Sequence, residues 1–344
     1  MPRRYGDLWA KVVAFDNIER AYRAAAKNKR YRADVLKYTA SLEENIINTQ
    51  NLLVWHQWRP GPMRSFWVNE PKLRFIQAPP FADRVVHHAL VDIVEPVFER
   101  KMIEDSYACR KGKGVHAACG KTQQYIREAQ RRWEKVYALK ADISKYFPSI
   151  NHDTLFRLFA DTIKDKDVLW LERQIIYESG YESRGIPVGA LTSQLEANIY
   201  LTLFDHWIKD ELGIRYYVRY MDDFVILGPS KRRLRDLLHG IGEYLALELQ
   251  LSLNPKTAIL PAAGVDFCGY RIWATHMRPR KRNLKKTRKR FKKIARLYAG
   301  GAVDLSYARA RVASFLGYMK HCDGYRTTES MLDELVLKRK NHEA

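Results

Sequence analysis

Apolar residues recur at helical spacing among many charges from residue 16 to 52, and WHQWRPGP at 55–62, with two prolines and a glycine, breaks that pattern. SFWVNE and KLRFIQA follow, rich in aromatic and β-branched residues and joined by EPK, which predicts a short hairpin. DRVVHHALVDIVEPVFERKM has helical periodicity with Asp83 as its expected N-cap. A second helix is expected over about 116–135, leading into the strand VYALKADI, and the pattern then predicts helices and strands in alternation to about residue 273. With strands drawn partly from hairpins, this is an α+β arrangement, not the strict alternation of a doubly wound sheet. There is no internal repeat and no low-complexity linker.

One strand-like run carries an unusual pair. RYMDDFVILG at 219–228 places Asp222 and Asp223 side by side between aromatic and β-branched residues. Adjacent carboxylates repel and persist where a cation compensates them; the alternative is a solvated Asp-Asp turn capping a hairpin. A third carboxylate bears on the choice. Asp142 ends an apolar strand in YALKADISKYFPSI, about eighty residues upstream, and a strand ending in one aspartate can lie beside a hairpin carrying two. Such a layout suits two Mg²⁺ ions about 3.5–4 Å apart, with Mn²⁺ as a substitute, because these cations take oxygen ligands.

Charge narrows the partners. The 344 residues hold 60 Lys and Arg against 39 Asp and Glu, a net charge of +21, which points to a polyanion. Hydrophobic content of 46% indicates a folded chain long enough for two or three subdomains. RPRKRNLKKTRKRFKKIAR at 278–296 holds twelve Lys or Arg and no acid. Lys281, Lys285, Arg288, Lys289, Lys292 and Arg296 recur at three- and four-residue spacing, which puts them on one helix face. Crowded like charges favour phosphate contact over a merely solvated helix. No stretch approaches the length of a membrane span and the N-terminus lacks a signal peptide's apolar core, so a soluble cytoplasmic protein is the expectation. Cys109, Cys119, Cys268 and Cys322 form no Cys-x-x-Cys pair, and His87 and His88 read as packing or surface residues.

The Asp142 segment and YMDD at 220–223 resemble the palm of reverse transcriptases, and further blocks follow the same order. They are RFIQAPPFADRVVHHAL (74–90), SYACRKGKGVHAA (106–118), GIPVGALTSQLEANIYL (185–201), LSLNPKT (251–257) and FCGYRI (267–272). The resemblance implies a right-hand polymerase fold with fingers, an antiparallel palm sheet with helices, and a short helical thumb. Its expected divisions are 1–105 for an N-terminal extension and fingers, 106–275 for the remaining fingers and palm, and 276–344 for the thumb. It makes Asp142, Asp222 and Asp223 the catalytic carboxylates, with Ile143 beside them at the metal. Lys72, Arg74 and Arg84 would contact the triphosphate, and Phe147 would exclude a 2′-hydroxyl. Val188, Gly189 and Gln194 would line the nascent pair, Lys256 would protonate pyrophosphate, and Cys268, Gly269 and Tyr270 would form the primer grip.

Many reverse transcriptases carry Gln-Gly and then Ser-Pro where this chain has Val188-Gly189 and Ser193-Gln194. That form resembles the enzymes of diversity-generating retroelements, which copy a template-repeat RNA into cDNA with errors at template adenines and work with an accessory variability determinant protein. The implied partners are template RNA, a cDNA or primer strand, deoxynucleotides and that accessory protein, with no membrane. Group II intron-like and retron-like polymerases remain alternatives, as does a non-catalytic RNA-binding protein of the same fold. The last is disfavoured because a pure binder gains nothing from clustering anions beside a polyanion.

Overall fold

The periodic region near the N-terminus is not one helix but several: α1 (Trp9–Val12), α2 (Phe15–Ala26), α3 (Ala33–Ala40) and α4 (Leu42–Val54). In α2, Ile18, Ala21, Tyr22, Ala25 and Ala26 make one buried stripe. The following KNKRYR has no apolar group to bury except Tyr31, which stands exposed, and the helix ends there. Strands β1 (Arg64–Asn69) and β2 (Leu73–Ala78) form the expected antiparallel hairpin, with Trp67 opposite Phe75. The structure, a computed structural model, describes residues 4–69, 73–178 and 182–339, so Lys72 lies outside the described residues.

Helix α5 (Phe81–Glu99) begins two residues before the expected cap. Pro80 occupies the N-cap position, where no amide donor is required, and Asp83 is drawn into the first turn. Its carboxylate accepts the Gly61 N–H at 2.7 Å and so ties the proline-broken loop to the helix. Helix α6 (Val115–Arg132) and strand β3 (Tyr137–Asp142) match their predictions.

The expected alternation then fails. Five helices, α7 (Tyr146–Ser149), α8 (His152–Ala160), α9 (Lys166–Tyr177), α10 (Thr192–Tyr200) and α11 (Thr202–His206), and a π-helical turn over Trp207–Glu211 separate β3 from β4 (Tyr217–Tyr220). Their buried residues, such as Leu155, Leu158 and Phe159 in α8, recur with the period of a helix packed on helices. The chain continues through β5 (Asp223–Gly228), α12 (Lys231–Leu249), β6 (Ala258–Pro261), β7 (Val265–Phe267), β8 (Tyr270–Ile272) and β9 (Met277–Pro279). Helices α13 (Lys281–Ala299), α14 (Leu305–Met319) and α15 (Tyr325–Asp333) end the described chain.

Two units result. The first comprises Met1–Arg110, Ile143–Ile214 and His239–Pro255, and apart from the β1–β2 hairpin its regular elements are helical. The second comprises Lys111–Asp142, Arg215–Leu238 and Lys256–Ala344. It holds an antiparallel sheet of order β4-β5-β3-β6 and a three-stranded sheet of order β7-β8-β9. The C-terminal helices have their own apolar core, in which Phe291 and Ile294 of α13 pack with Ala308, Phe315, Met319 and Met331.

Candidate active site

The second unit brings Asp142 and Asp223 onto neighbouring strands and Asp222 into the adjoining turn. Tyr220 pairs with Asp223 across the β4–β5 hairpin, leaving Met221 and Asp222 as its turn. Met221 takes a left-handed backbone, φ 58°, as two-residue hairpin loops demand. Beneath the turn lies Arg219, fully buried, whose Nη1 donates to the Met221 carbonyl at 3.0 Å. On the other side of β5, Asp223 stands directly opposite Asp142 of β3. Directly opposed residues share a face, so these two carboxylates project from the same side of the sheet, with Asp222 at the turn beside them. The predicted association of Asp142 with the Asp-Asp hairpin is therefore realised strand against strand.

Asp223 sits in an electrostatically tense position. Its Oδ1 is sealed from solvent with no hydrogen-bond donor, while Oδ2 lies 3.8 Å from the Lys140 ammonium. Burial pushes its carboxyl up to about 7; Lys140 and Arg280 oppose that rise, and the charges of Asp142 and Asp222 add to it. An acceptor left without a donor among hard oxygen groups is what an oxygen-seeking divalent cation would satisfy. Among the described residues no three carboxylate, histidine or cysteine side chains are already arranged as a metal cage. Ile143, the next residue of β3's chain, is buried and bridges Leu253 within the first unit. Lys256 is exposed, two residues before Ala258, which pairs with Lys140.

Cys268 and Gly269 form the turn between β7 and β8, with φ of 48° and 92°. The Gly269 carbonyl accepts from the Tyr318 hydroxyl at 2.6 Å, the Arg280 N–H at 3.2 Å and Asn283 Nδ2 at 3.4 Å. Tyr270 stacks on Tyr318 at 4.8 Å and donates to its carbonyl. Helices α13 and α14 thus clamp this turn, and Arg280 also pairs with Asp266 of β7. The four cysteines are free, and the Cys119 thiol, together with burial, holds Cys268 in its protonated form.

Phe147, Val188, Gly189, Gln194, Arg74 and Arg84 lie in the first unit. The Val188 carbonyl accepts the Gln77 N–H of β2 at 3.1 Å, and the Phe147 carbonyl accepts the Ile186 N–H at 3.1 Å, so both join one hydrogen-bonded body. Gly189, at φ 139°, lies against Gln77, where a Cβ would stand 2.8 Å from the carbonyl oxygen. Arg74 is exposed on β2, and Gln194 is exposed on α10. Arg84 is half-buried and donates Nε to the Pro79 carbonyl at 2.8 Å; desolvation holds its pKa below the ordinary arginine value.

The sequence model described as reverse transcriptase (RNA-dependent DNA polymerase) matches residues 68–272. The chain belongs to the reverse transcriptases. This reverse transcriptase is 25% identical over 284 residues to protein YkfC of Escherichia coli (strain K12), covering 69% of this chain and 73% of YkfC. It is 29% identical over 180 residues to the group II intron-encoded protein LtrA of Lactococcus lactis subsp. cremoris, covering 48% of this chain and 28% of LtrA. Among solved structures, telomerase from Candida albicans in complex with a fragment of telomeric RNA gives a TM-score of 0.49 at 13% identity, covering 83% of this chain and 56% of that one. The reverse transcriptase thus spans less than a third of LtrA and little more than half of that telomerase chain.

The reverse transcriptase has the right-hand polymerase fold, and its α13 is a two-faced helix. Phe291 and Ile294 are buried, while Lys281, Lys285, Arg288, Lys289, Lys292 and Arg296 are all exposed. Arg288 pairs with Glu334 at 3.2 Å. Two features of this reverse transcriptase escaped sequence reasoning: Arg219 under the hairpin turn and Lys140 beside Asp223. Each is a cation inside an otherwise apolar strand, which was the available signal.

Proposed function

We propose that this reverse transcriptase copies a template-repeat RNA into cDNA for a diversity-generating retroelement, with frequent errors at template adenines. The observation that carries the polymerase chemistry is the registered Asp142–Asp223 pair with Asp222 in the adjoining turn. The subtype rests on Val188-Gly189 and Ser193-Gln194.

Asp142, Asp222 and Asp223, with the backbone at Ile143, would hold Mg²⁺ or Mn²⁺; the donorless Asp223 Oδ1 and the all-oxygen ligand set fit such an ion. Bound there, the metal would make the primer hydroxyl a better nucleophile and stabilise the leaving pyrophosphate. In this reading Lys72, Arg74 and Arg84 meet the triphosphate, Phe147 blocks a 2′-hydroxyl, and Val188, Gly189 and Gln194 border the nascent pair. Lys256 supplies a proton to pyrophosphate. The Cys268–Gly269–Tyr270 turn holds the primer, its backbone fixed by the three donors on the Gly269 carbonyl. The cationic face of α13 follows the phosphate backbone of the RNA–cDNA duplex. Residues 1–105, 106–275 and 276–344 serve as fingers with an N-terminal extension, remaining fingers with palm, and thumb. The accessory variability determinant protein is its partner, in the cytoplasm of a bacterial host; among the described residues no helix is long and apolar enough to cross a membrane.

The similarity to the intron-encoded protein LtrA supports a second reading, an intron-type enzyme without adenine-directed errors. Sequencing cDNA made on the RNA flanking the gene, with and without a candidate accessory protein, separates the two. Substitutions concentrated at template adenines support the retroelement reading, and errors spread evenly over the four template bases support the intron type. A template repeat beside a variable repeat that differs at adenines, in the neighbouring DNA, is the independent check.

A further inference from the structure

Lys140 is an unexpected residue for its place. It lies on β3, which is flanked on both sides, opposite Val225 of β5 and Ala258 of β6. Two residues on is Asp142, so strand alternation puts Lys140 on the carboxylate face of the sheet. Its side chain is 30% exposed and that of Asp223 27%, with Nζ 3.8 Å from Asp223 Oδ2. The other cation that bears on Asp223, Arg280, already pairs with Asp266. Among the described residues, Lys140 is the ion-pair partner of Asp223.

We propose that Lys140 is the resident countercation of the catalytic carboxylates: it holds them together while no metal is bound and weakens the binding of metal alone. The proposal rests on the assignment of Asp142, Asp222 and Asp223 as metal ligands. Three acids crowded on adjacent strands repel one another, and a fixed ammonium at one of them relieves part of that repulsion. The same ammonium opposes a divalent cation at the same oxygen, so metal binding must displace it or tolerate it. Lys140 acts through Asp223 and is a positioning residue. Its effect is to make the site depend on higher free metal than it would need without that ammonium beside Asp223.

The test is Mn²⁺ titration of the purified full chain, free Mn²⁺ being read by electron paramagnetic resonance without nucleotide or RNA, together with melting in EDTA. Lys140→Met should bind Mn²⁺ about tenfold more tightly than wild type and melt at a lower temperature in EDTA, whereas Lys140→Arg should resemble wild type. Lys231→Met removes a cation that lies over the Tyr137 ring and should change neither reading. If Lys140→Met does not fold without metal, Lys140→Met combined with Asp223→Asn should, because the uncompensated charge is then gone. Unchanged Mn²⁺ affinity in Lys140→Met, or an equal gain in Lys231→Met, overturns the proposal. Asp223→Asn tells the two failures apart. If it weakens Mn²⁺ binding while Lys140→Met has no effect, the ligand assignment stands and the role of Lys140 falls; if it binds Mn²⁺ as wild type does, the assignment itself fails and the role of Lys140 with it.

Discussion

Gly189 shows how one missing side chain positions a segment. A Cβ there would meet the Gln77 carbonyl at 2.8 Å and Ile76 Cγ2 at 3.0 Å, and φ of 139° is strained for any other residue. Gly189→Ala should therefore cost about 1–3 kcal/mol in denaturant melts and raise KM for deoxynucleotides, because β2 must move away. Next to it, Val188 offers apolar contact where a glutamine would donate and accept. Val188→Gln should lower misincorporation opposite adenine more than opposite the other template bases, as read from cDNA sequences; a gap of about 1.4 kcal/mol is already tenfold in discrimination. Equal adenine error rates would place infidelity elsewhere. At the carboxylates, Asp222→Asn and Asp223→Asn should each abolish primer extension while melting temperature and RNA binding survive, since each removes charge without opening a cavity. Near wild-type extension by both would refute the metal assignment.

Helices α9 and α10 raise a different question, because each contributes a fully buried glutamate to the first unit: Glu172 and Glu196. Oε1 of each lacks a hydrogen-bond partner. Burial pushes Glu196 up to about 7, against the pull of a hydrogen bond from Thr192, and burial and the charge of Glu196 raise Glu172 well above the carboxylate range. The pair titrates as a unit and keeps a proton that the unfolded chain gives up. Below the ordinary glutamate value of 4.5 both states are protonated and nothing is lost; as pH rises from there through about 7, the unfolded state releases protons first and stability falls. Glu196→Gln should match wild type near pH 4.5 and be increasingly more stable towards pH 8, measured by urea denaturation across that range. Parallel curves for the two proteins would mean that the pair does not hold its proton.

Over the whole molecule the excess of +21 acts on a polyanion at distances where single contacts do not. The exposed face of α13 concentrates part of it, held outward because Phe291 and Ile294 anchor the opposite face. Replacing Lys285, Lys289 and Lys292 with Gln should weaken binding to unrelated RNAs about equally and flatten the slope of log affinity against log salt by up to about three, one for each phosphate no longer neutralised. Helical content should not change, since none of the three is buried. An unchanged slope would remove this face from the interface.

Local pattern and composition were enough for the elements whose cause is local: the β1–β2 hairpin, α6, β3 and the basic α13, each set by residue spacing along one segment. The ordered blocks made the family legible, because motif residues keep their identity wherever the chain takes them. The start of α5 misled, since Asp83 has the chemistry of a cap but inside the first turn its carboxylate is engaged by the distant Gly61 N–H and the Trp58 side chain. The run of five helices between β3 and β4 was also missed, because short apolar stretches suit helix and strand alike until their packing partners are known. That Asp142 faces Asp223 in register, that Lys140 reaches its Oδ2, that Arg219 lies buried under Met221, and that two glutamates are both buried were decided by tertiary structure alone. Each depends on which strands and helices become neighbours, and burial changes the energy of a charge far more than its place in the chain does.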